Sequence, residues 1–175
     1  MNNPVTVGIL SDSHGYLDPG IADAVNQCDY IVHAGDIFNA AVLTQLKPKK
    51  ELLAVAGNND FPAFWADEEA AIVEALPKKN ELNLPGGLLV VEHGHRLGNH
   101  PEHDDFRLDY AHAKLVVYGH THHRVIDQSQ YPWVVNPGAS GKIRTHGGPS
   151  CLILTASEDE WRIETVLFAD ATLHV

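Results

Sequence analysis

Apolar residues in this chain come in short runs, and each run ends in a small or polar cluster. VTVGIL (5–10) runs into SDSH, DYIVHA (29–34) into GD, and ELLAVA (51–56) into GNND. Further on, GLLVVE (87–92) runs into HGH, KLVVY (114–118) into GHTHH, and WVV (133–135) into NPGAS. Runs of this length, rich in Val, Ile and Leu and without clean alternation, predict strands covered on both faces. Helical spacing fills the gaps between the first three. Ile21, Ala24 and Val25 share one face of 18–27, with Asp18 as the cap ahead of Pro19. Phe38, Val42, Leu43 and Leu46 do the same for 38–46, which stops before Pro48. Residues 67–76, DEEAAIVEAL, predict a third helix whose acidic first turn suits its dipole. The early chain therefore reads β-α-β-α-β. The late chain differs: CLILTA (151–156), a polar SEDE turn and WRIETVLF (161–168) predict a β-hairpin. A layered α/β domain with a mixed sheet system follows, covering 1–175 without an internal repeat, low-complexity tract or linker. Phe61, Phe64 and Trp65, ahead of the third helix, admit two readings: local packing, or an exposed lid or partner surface.

Composition changes this picture only at its margins. A chain of 175 residues is long enough for one domain with a substantial core and short for two. With 44% hydrophobic and 20% charged residues it reads as globular, not disordered. No apolar stretch approaches the roughly 20 residues of a membrane span. MNNPVTVGIL lacks a basic n-region and a long apolar h-region, so it reads as the first strand and not as a signal peptide. The isolated Cys28 and Cys151 fit a reducing cytoplasm and make no thiol-metal or disulfide pattern. The net charge of −11 argues against broad nucleic-acid binding, which needs surplus Lys and Arg. A small phosphate-bearing molecule is compatible with it, because bound cations can reverse the field inside an acidic site. Homo-oligomerisation is compatible with it too.

The candidate chemistry lies at the strand ends. In an open α/β sheet, groups just beyond the carboxyl ends of strands gather where ligands bind. Asp12, His14, Asp36, Asn58, His93, His120 and His122 all occupy such positions. Imidazole nitrogens with carboxylate and amide oxygens, and no thiolate, are donors for a divalent metal. They are too many for one tetrahedral zinc and suit two ions if one carboxylate bridges. Taken singly, each cluster has an ordinary explanation. Asp12 could cap a turn, Gly35-Asp36 and Gly57-Asn58-Asn59 are common turn sequences, and His93 and His95 belong to a chain with 12 histidines. Separate accidents do not explain their recurrence at successive strand ends.

Their order and spacing resemble the calcineurin-like metallophosphoesterases, whose signature here reads DSH (12–14), GD (35–36), GNND (57–60), HGH (93–95) and GHTH (119–122). The chain length, NPGAS at 136–140 and RTHGGPS at 144–150 look most like the small single-domain phosphodiesterase branch. The resemblance implies an αββα arrangement, a β-sandwich with helices on both outer faces. It implies a metal-dependent phosphoric ester hydrolase with two divalent ions. One would take Asp12, His14, Asp36 and His122, the other Asp36, Asn58, His93 and His120, with Asp36 as the bridge. Manganese is expected, and iron, nickel or zinc fit the same donors. Two metals roughly 3.5–4 Å apart can acidify a bridging water and clamp a phosphoryl group. A metal-bridging hydroxide would then attack phosphorus, and the metals would take up the charge developing on its oxygens. Ser13 and Ser140 have no base-and-orienter arrangement, so no protein nucleophile is expected.

One position departs from the family pattern. Many relatives carry a His after the motif Asn, where this chain has Asn59. An amide donates a hydrogen bond but is no general acid near neutral pH. Either His95 supplies the proton, or the enzyme takes esters whose leaving groups depart without one, such as aryl phosphodiesters. Lys142 and Arg144 either steer a phosphate or are solvated surface charges. His123 is expected to face solvent. Three other readings stand beside the phosphodiesterase. A phosphomonoesterase or pyrophosphatase would use the same metals. A non-catalytic protein-binding scaffold is what a retromer subunit resembling this branch became, with several ligands altered. A metallo-β-lactamase-like hydrolase is disfavoured, because HTHHR lacks the Asp of that motif.

Overall fold

A computed structural model describes residues 3–169. The apolar runs become the strands of two five-stranded sheets. The first contains β1 (Val5–Leu10), β2 (Tyr30–His33), β3 (Glu51–Ala54), β9 (Ser150–Ala156) and β10 (Trp161–Leu167). The second contains β4 (Lys79–Leu84), β5 (Gly87–Glu92), β6 (Leu115–Val117), β7 (Val125–Asp127) and β8 (Trp133–Asn136). Strand order is β10-β9-β1-β2-β3 in the first and β4-β5-β6-β8-β7 in the second. The predicted β-α-β-α-β start gives the parallel neighbours β1, β2 and β3, and the predicted terminal hairpin gives antiparallel β9 and β10.

Burial on two faces explains why these runs do not alternate. Val7, Ile9, Val32 and Leu53 from one sheet meet Leu89, Val91, Leu115 and Val117 from the other in a shared core. On the far side of the first sheet, Leu10 and Ile31 pack against Ile21 and Val25 of α1 (Pro19–Val25), Val42 of α2 (Ala40–Thr44) and Val73 of α3 (Ala70–Glu74). On the far side of the second, Val90, Val116 and Val134 pack against Phe106 of α4 (His103–Asp109) and Tyr110. The layers are therefore αββα, as the motifs implied.

Some element boundaries differ from the sequence expectation. Asp18 does cap α1, accepting from the backbone N–H groups of Gly20 and Ile21. α2 starts later than expected: Asn39 caps it, and Phe38 stands outside with a φ of 76°. The acidic stretch at 67–69 forms a 3₁₀ turn that no side chain caps, so only Ala70–Glu74 is α-helical. Sequence periodicity missed β4, α4 and β7. β4 and β7 are sheet edges, and polar residues blunt such edges against further pairing. β4 buries Leu82 and Leu84 alone, while α4 buries Phe106 alone. Phe61 and Phe64 are exposed and touch each other, whereas Trp65 is buried with its indole N–H on Asp60. No helix among the described residues is long and apolar enough to cross a membrane.

Candidate metal centre

The loops leaving β1, β2, β3, β5 and β6 meet at one end of the sandwich, and they bring the predicted donors together. Asp12 Oδ1 lies 3.4 Å from His122 Nε2, 3.8 Å from His14 Nε2 and 3.9 Å from His93 Nε2. Asp36 Oδ2 is 3.5 Å from both His14 Nε2 and His93 Nε2. Asn58 Oδ1 is 3.1 Å from His93 Nε2 and 3.2 Å from His120 Nδ1. Turning sharply off a strand has a backbone cost. Asp12, His14, Asp36, His120 and His122 take φ values of 52°, 46°, 57°, 68° and 63°, in the left-handed region that L-residues rarely occupy. Strain of this kind persists only where the surroundings over-determine it, and it concentrates at functional sites. Two glycines make the approach possible. A Cβ at Gly57 would run into the Asp36 carboxylate, and one at Gly119 into Ser11 Oγ and Asp12 Oδ2.

Polarity shows what the cluster lacks. A carbonyl oxygen only accepts, so His93 Nδ1 donates to Ala34 O at 2.7 Å and His122 Nδ1 donates to Ile143 O at 2.9 Å. In their neutral forms both rings then turn a bare Nε2 lone pair inward. His122 Nε2 lies 3.1 Å from the Nε2 of His14. His120 Nε2 donates to Asn99 Oδ1 at 3.1 Å, which leaves its Nδ1 lone pair facing the acceptor Asn58 Oδ1. Asp12 is fully buried, yet its Oδ1 has no hydrogen-bond partner. Lone pairs thus converge on lone pairs in a buried space, an arrangement that a cation resolves. Two overlapping sets, Asp12-His14-His122 and Asp12-Asp36-His93, have donor atoms close enough to hold an ion.

Without an ion, protons take its place. Burial disfavours charge on His93, but the Asp36 hydrogen bond and the charges of Asp12 and Asp36 outweigh it and raise the imidazole to about 9. Burial likewise works against the Asp12 carboxylate, but the imidazoles of His122, His14 and His93 standing close to it hold it far below the usual range. Asp36 is lowered in the same way, against its own burial, chiefly by His93.

Several supporting groups escaped sequence reasoning. Ser11 Oγ donates to Asp12 Oδ2 at 2.6 Å, which commits that oxygen and leaves Oδ1 to the cluster. Buried Asp60, the last residue of GNND, accepts from the backbone of Ile37, Phe38 and Gly57 and so ties two ligand loops together. Asn136, the first residue of NPGAS, donates to Gly119 O and Thr121 Oγ1 and braces the GHTH turn. The motif spelling carried these two residues, but nothing in it told their role. Asn59 also turns inward: its N–H donates to Asp36 Oδ1 and its Nδ2 to Asp36 Oδ2, at 3.1 and 3.0 Å. Fully buried His33 lies 2.9 Å from Ser13 Oγ. Its Nδ1 already accepts from the Gly35 N–H, so Nε2 is the donor and His33 cannot serve Ser13 as a base. Burial also pushes the His33 imidazole down to about 4.

The remaining candidates lie outside the donor cluster. His95 is exposed, with its ring 5.5 Å from that of His93 and 6.2 Å from that of His120, and burial followed by the charge of His93 lowers its pKa. His123 is exposed as expected and stacks on His146. Beside the donors opens a cleft of about 600 Å³, whose walls include Asn58, Asn59, His103, Tyr118, His120 and Arg144.

The calcineurin-like phosphoesterase superfamily domain matches this chain over residues 5–159. The chain belongs to that superfamily. It is 29% identical over 171 residues to a phosphodiesterase of Methanocaldococcus jannaschii, covering 89% of this chain and 96% of that protein. Vacuolar protein sorting 29 of Cryptosporidium parvum has a similar structure, with a TM-score of 0.73 at 15% identity, over 97% of this chain and 100% of that one. An archaeal protein described as a novel phosphodiesterase gives 0.68 at 23% identity, over 92% and 99%. At these identities the structural likeness speaks for the fold.

Proposed function

We propose that the protein is a dinuclear metal-dependent phosphodiesterase, with the chain of 1–175 acting as one catalytic domain on small phosphate esters. The observation that carries this reading is the buried, unpartnered Asp12 Oδ1 faced by the Nε2 atoms of His14, His93 and His122. The donor set fits two ions. One would be held by Asp12, His14, Asp36 and His122, and the other by Asp36, Asn58, His93 and His120. The equal 3.5 Å separations of Asp36 Oδ2 from His14 and His93 suit it as the shared ligand, although Asp12, common to both donor sets, reaches the same two rings from 3.8 and 3.9 Å. Nitrogen and oxygen donors without thiolate suit manganese, and iron, nickel or zinc as well. When bound, such ions supply Lewis acidity toward a phosphoryl oxygen and lower the pKa of water.

The chain's own groups position and polarise. Ala34 O and Ile143 O fix the tautomers of His93 and His122, and Asn99 fixes His120. Ser11, Asp60 and Asn136 hold the loops. Water is the nucleophile: its oxygen bonds to phosphorus and gives up a proton to solvent, the ester P–O bond breaks, and the leaving oxygen carries off the electron pair. Asn59 is committed to Asp36 and offers no acid. His95, whose ring stands beside those of His93 and His120, is the protonatable group we assign to the leaving oxygen, and esters with good leaving groups do not need it. A screen of mono- and diesters on metal-analysed protein tests the function. Two divalent ions per chain with diester turnover are expected. Full activity in metal-free protein would sink the reading, and a metal-binding protein that turns over no ester would favour the scaffold instead.

A further inference from the structure

Of the two cations that follow NPGAS, the structure separates one from the other. The Lys142 ammonium lies 4.1 Å from the centre of the Tyr16 ring and is occupied there. Arg144 turns the other way, lines the cleft with Asp36, Asn58 and His120, and brings Nη2 to 3.4 Å from His122 Nε2. Its backbone holds a φ of 50°, a conformation of the costly kind found in the ligands themselves.

That conformation is held from outside. The Arg124 guanidinium donates to the carbonyl oxygens of Thr145, His146 and Gly148 and to Ser150 Oγ, at 3.1, 2.7, 3.3 and 3.2 Å. From the other side, Ile143 O accepts from His122 Nδ1. The segment that carries Arg144 is thus pinned both to the sandwich and to one of the proposed ligands. Arg144 is itself exposed, and the fixing of its backbone is what distinguishes it from a freely solvated arginine.

We propose that Arg144 binds the phosphoryl group of the substrate, and that Arg124 is the positioning residue that aims it. This rests on the phosphoesterase reading above. The guanidinium is a permanent cation beside a cluster built to hold cations, so an anion lying between them is what makes the arrangement favourable. Among the described residues, its only bond into the site is the long one to His122 Nε2. With that nitrogen serving as a ligand, its lone pair would be taken and the guanidinium fork would be free to donate. Two non-bridging phosphoryl oxygens match that fork, whereas a lysine would offer only a point charge.

The test uses the metal-loaded protein, with inorganic phosphate binding by calorimetry and hydrolysis of bis(4-nitrophenyl) phosphate as separate readouts. Arg144→Ala should weaken phosphate binding and lower kcat/KM, each by about 10- to 100-fold, the range of a charge-assisted hydrogen bond lost. Metal content should be unchanged. Arg144→Lys should recover part of both, and Lys142→Ala should match the parent. Arg124→Ala should act mainly by raising KM, since it leaves the guanidinium present but unaimed. Phosphate affinity and turnover in Arg144→Ala equal to the parent's would overturn the proposal, and so would loss of metal from that variant. If the parent hydrolyses no ester while its phosphate affinity still depends on Arg144, the arginine assignment stands and the enzyme reading falls.

Discussion

Two clusters of histidine and carboxylate stand near this cleft, and their histidines face different kinds of partner. In the outer cluster, His103 Nδ1 meets Asp127 Oδ2 at 2.6 Å and its Nε2 meets the Tyr118 hydroxyl at 3.0 Å. Asp127 also accepts from Ser129 and pairs with Arg107. Each ring nitrogen there has a partner of the opposite kind. In the inner cluster, the imidazole lone pairs of His93 and His120 point at Asn58 Oδ1, which also only accepts, and Asp12 Oδ1, 3.4 Å from His122 Nε2, has no hydrogen bond. Composition and proximity are alike in the two places. What differs is direction. A satisfied network holds a fold together, whereas converging lone pairs on a strained backbone describe a receptor for a cation.

Stripping the metals should show the difference most strongly. Chelation is expected to abolish ester hydrolysis, and Mn²⁺ to restore at least part of it. It should also lower Tm by about 5–10 °C if the ions stand near a hundred times their Kd in the loaded sample. A thermal scan that does not respond to chelator would place the inner cluster in the same class as the outer one. Next in size is Asp36→Asn. As the proposed shared ligand it should disturb both ions and cost about 4 kcal/mol in the transition state, roughly a thousandfold in kcat/KM. His122→Ala should mainly empty one site. Elemental analysis distinguishes the two, and unchanged stoichiometry in Asp36→Asn would mean that the bridge is wrongly assigned.

How far the sequence reached can be judged from the same residues. The β1, β2, β5 and β6 runs were legible because strands buried on both faces are continuous in apolar residues. The donors were legible because they stand at the ends of those runs. β4, β7 and α4 left no comparable trace, since an edge strand or a helix that buries one or two side chains has little periodicity to read. The supporting groups were hidden for another reason. Asp60, Asn136 and Asn99 act on residues many positions away, across contacts that exist only after folding. Asn59 shows this best: its identity was visible, and its hydrogen bond to Asp36 was not.

The outer cluster gives a smaller and opposite effect. Asp127→Ala removes an acceptor from His103 and Ser129 and the partner of Arg107, so unfolding should cost about 1–3 kcal/mol less, with metal content unchanged. The Ser129 hydrogen bond, then that of His103, holds the Asp127 carboxyl well below its usual range. A depressed carboxyl contributes stability that is complete above the unfolded value, about 3.9, and is lost as pH falls below it. That acid-side loss should be smaller in Asp127→Asn. A variant that lost its metals would erase the distinction between the clusters.

The smallest effect should come from the position where the family pattern and this chain part. Asn59 donates to Asp36 Oδ2, so Asn59→Ala should loosen the proposed bridge and weaken metal affinity by about tenfold, the low end for a lost orienting partner. Its chemistry is tested separately. With no strong acid at residue 59, the leaving group must carry off its own charge, and kcat/KM should fall steeply along a series of aryl phosphodiesters of rising phenol pKa. Asn59→His should flatten that slope where the imidazole reaches the leaving oxygen, although it gives up the amide bond to Asp36. His95→Ala should steepen it if His95 donates. The imidazolium of His95 is disfavoured by burial and by the charge of His93, so its share should grow as pH falls. The comparison is clean only where chemistry limits the rate, which a burst experiment establishes. A flat dependence in the parent, unchanged in His95→Ala, would mean that another group supplies the proton. The roles of Asn59 and His95 would then be wrong, while the metal assignment, which rests on Asp12 and its facing imidazoles, would stand.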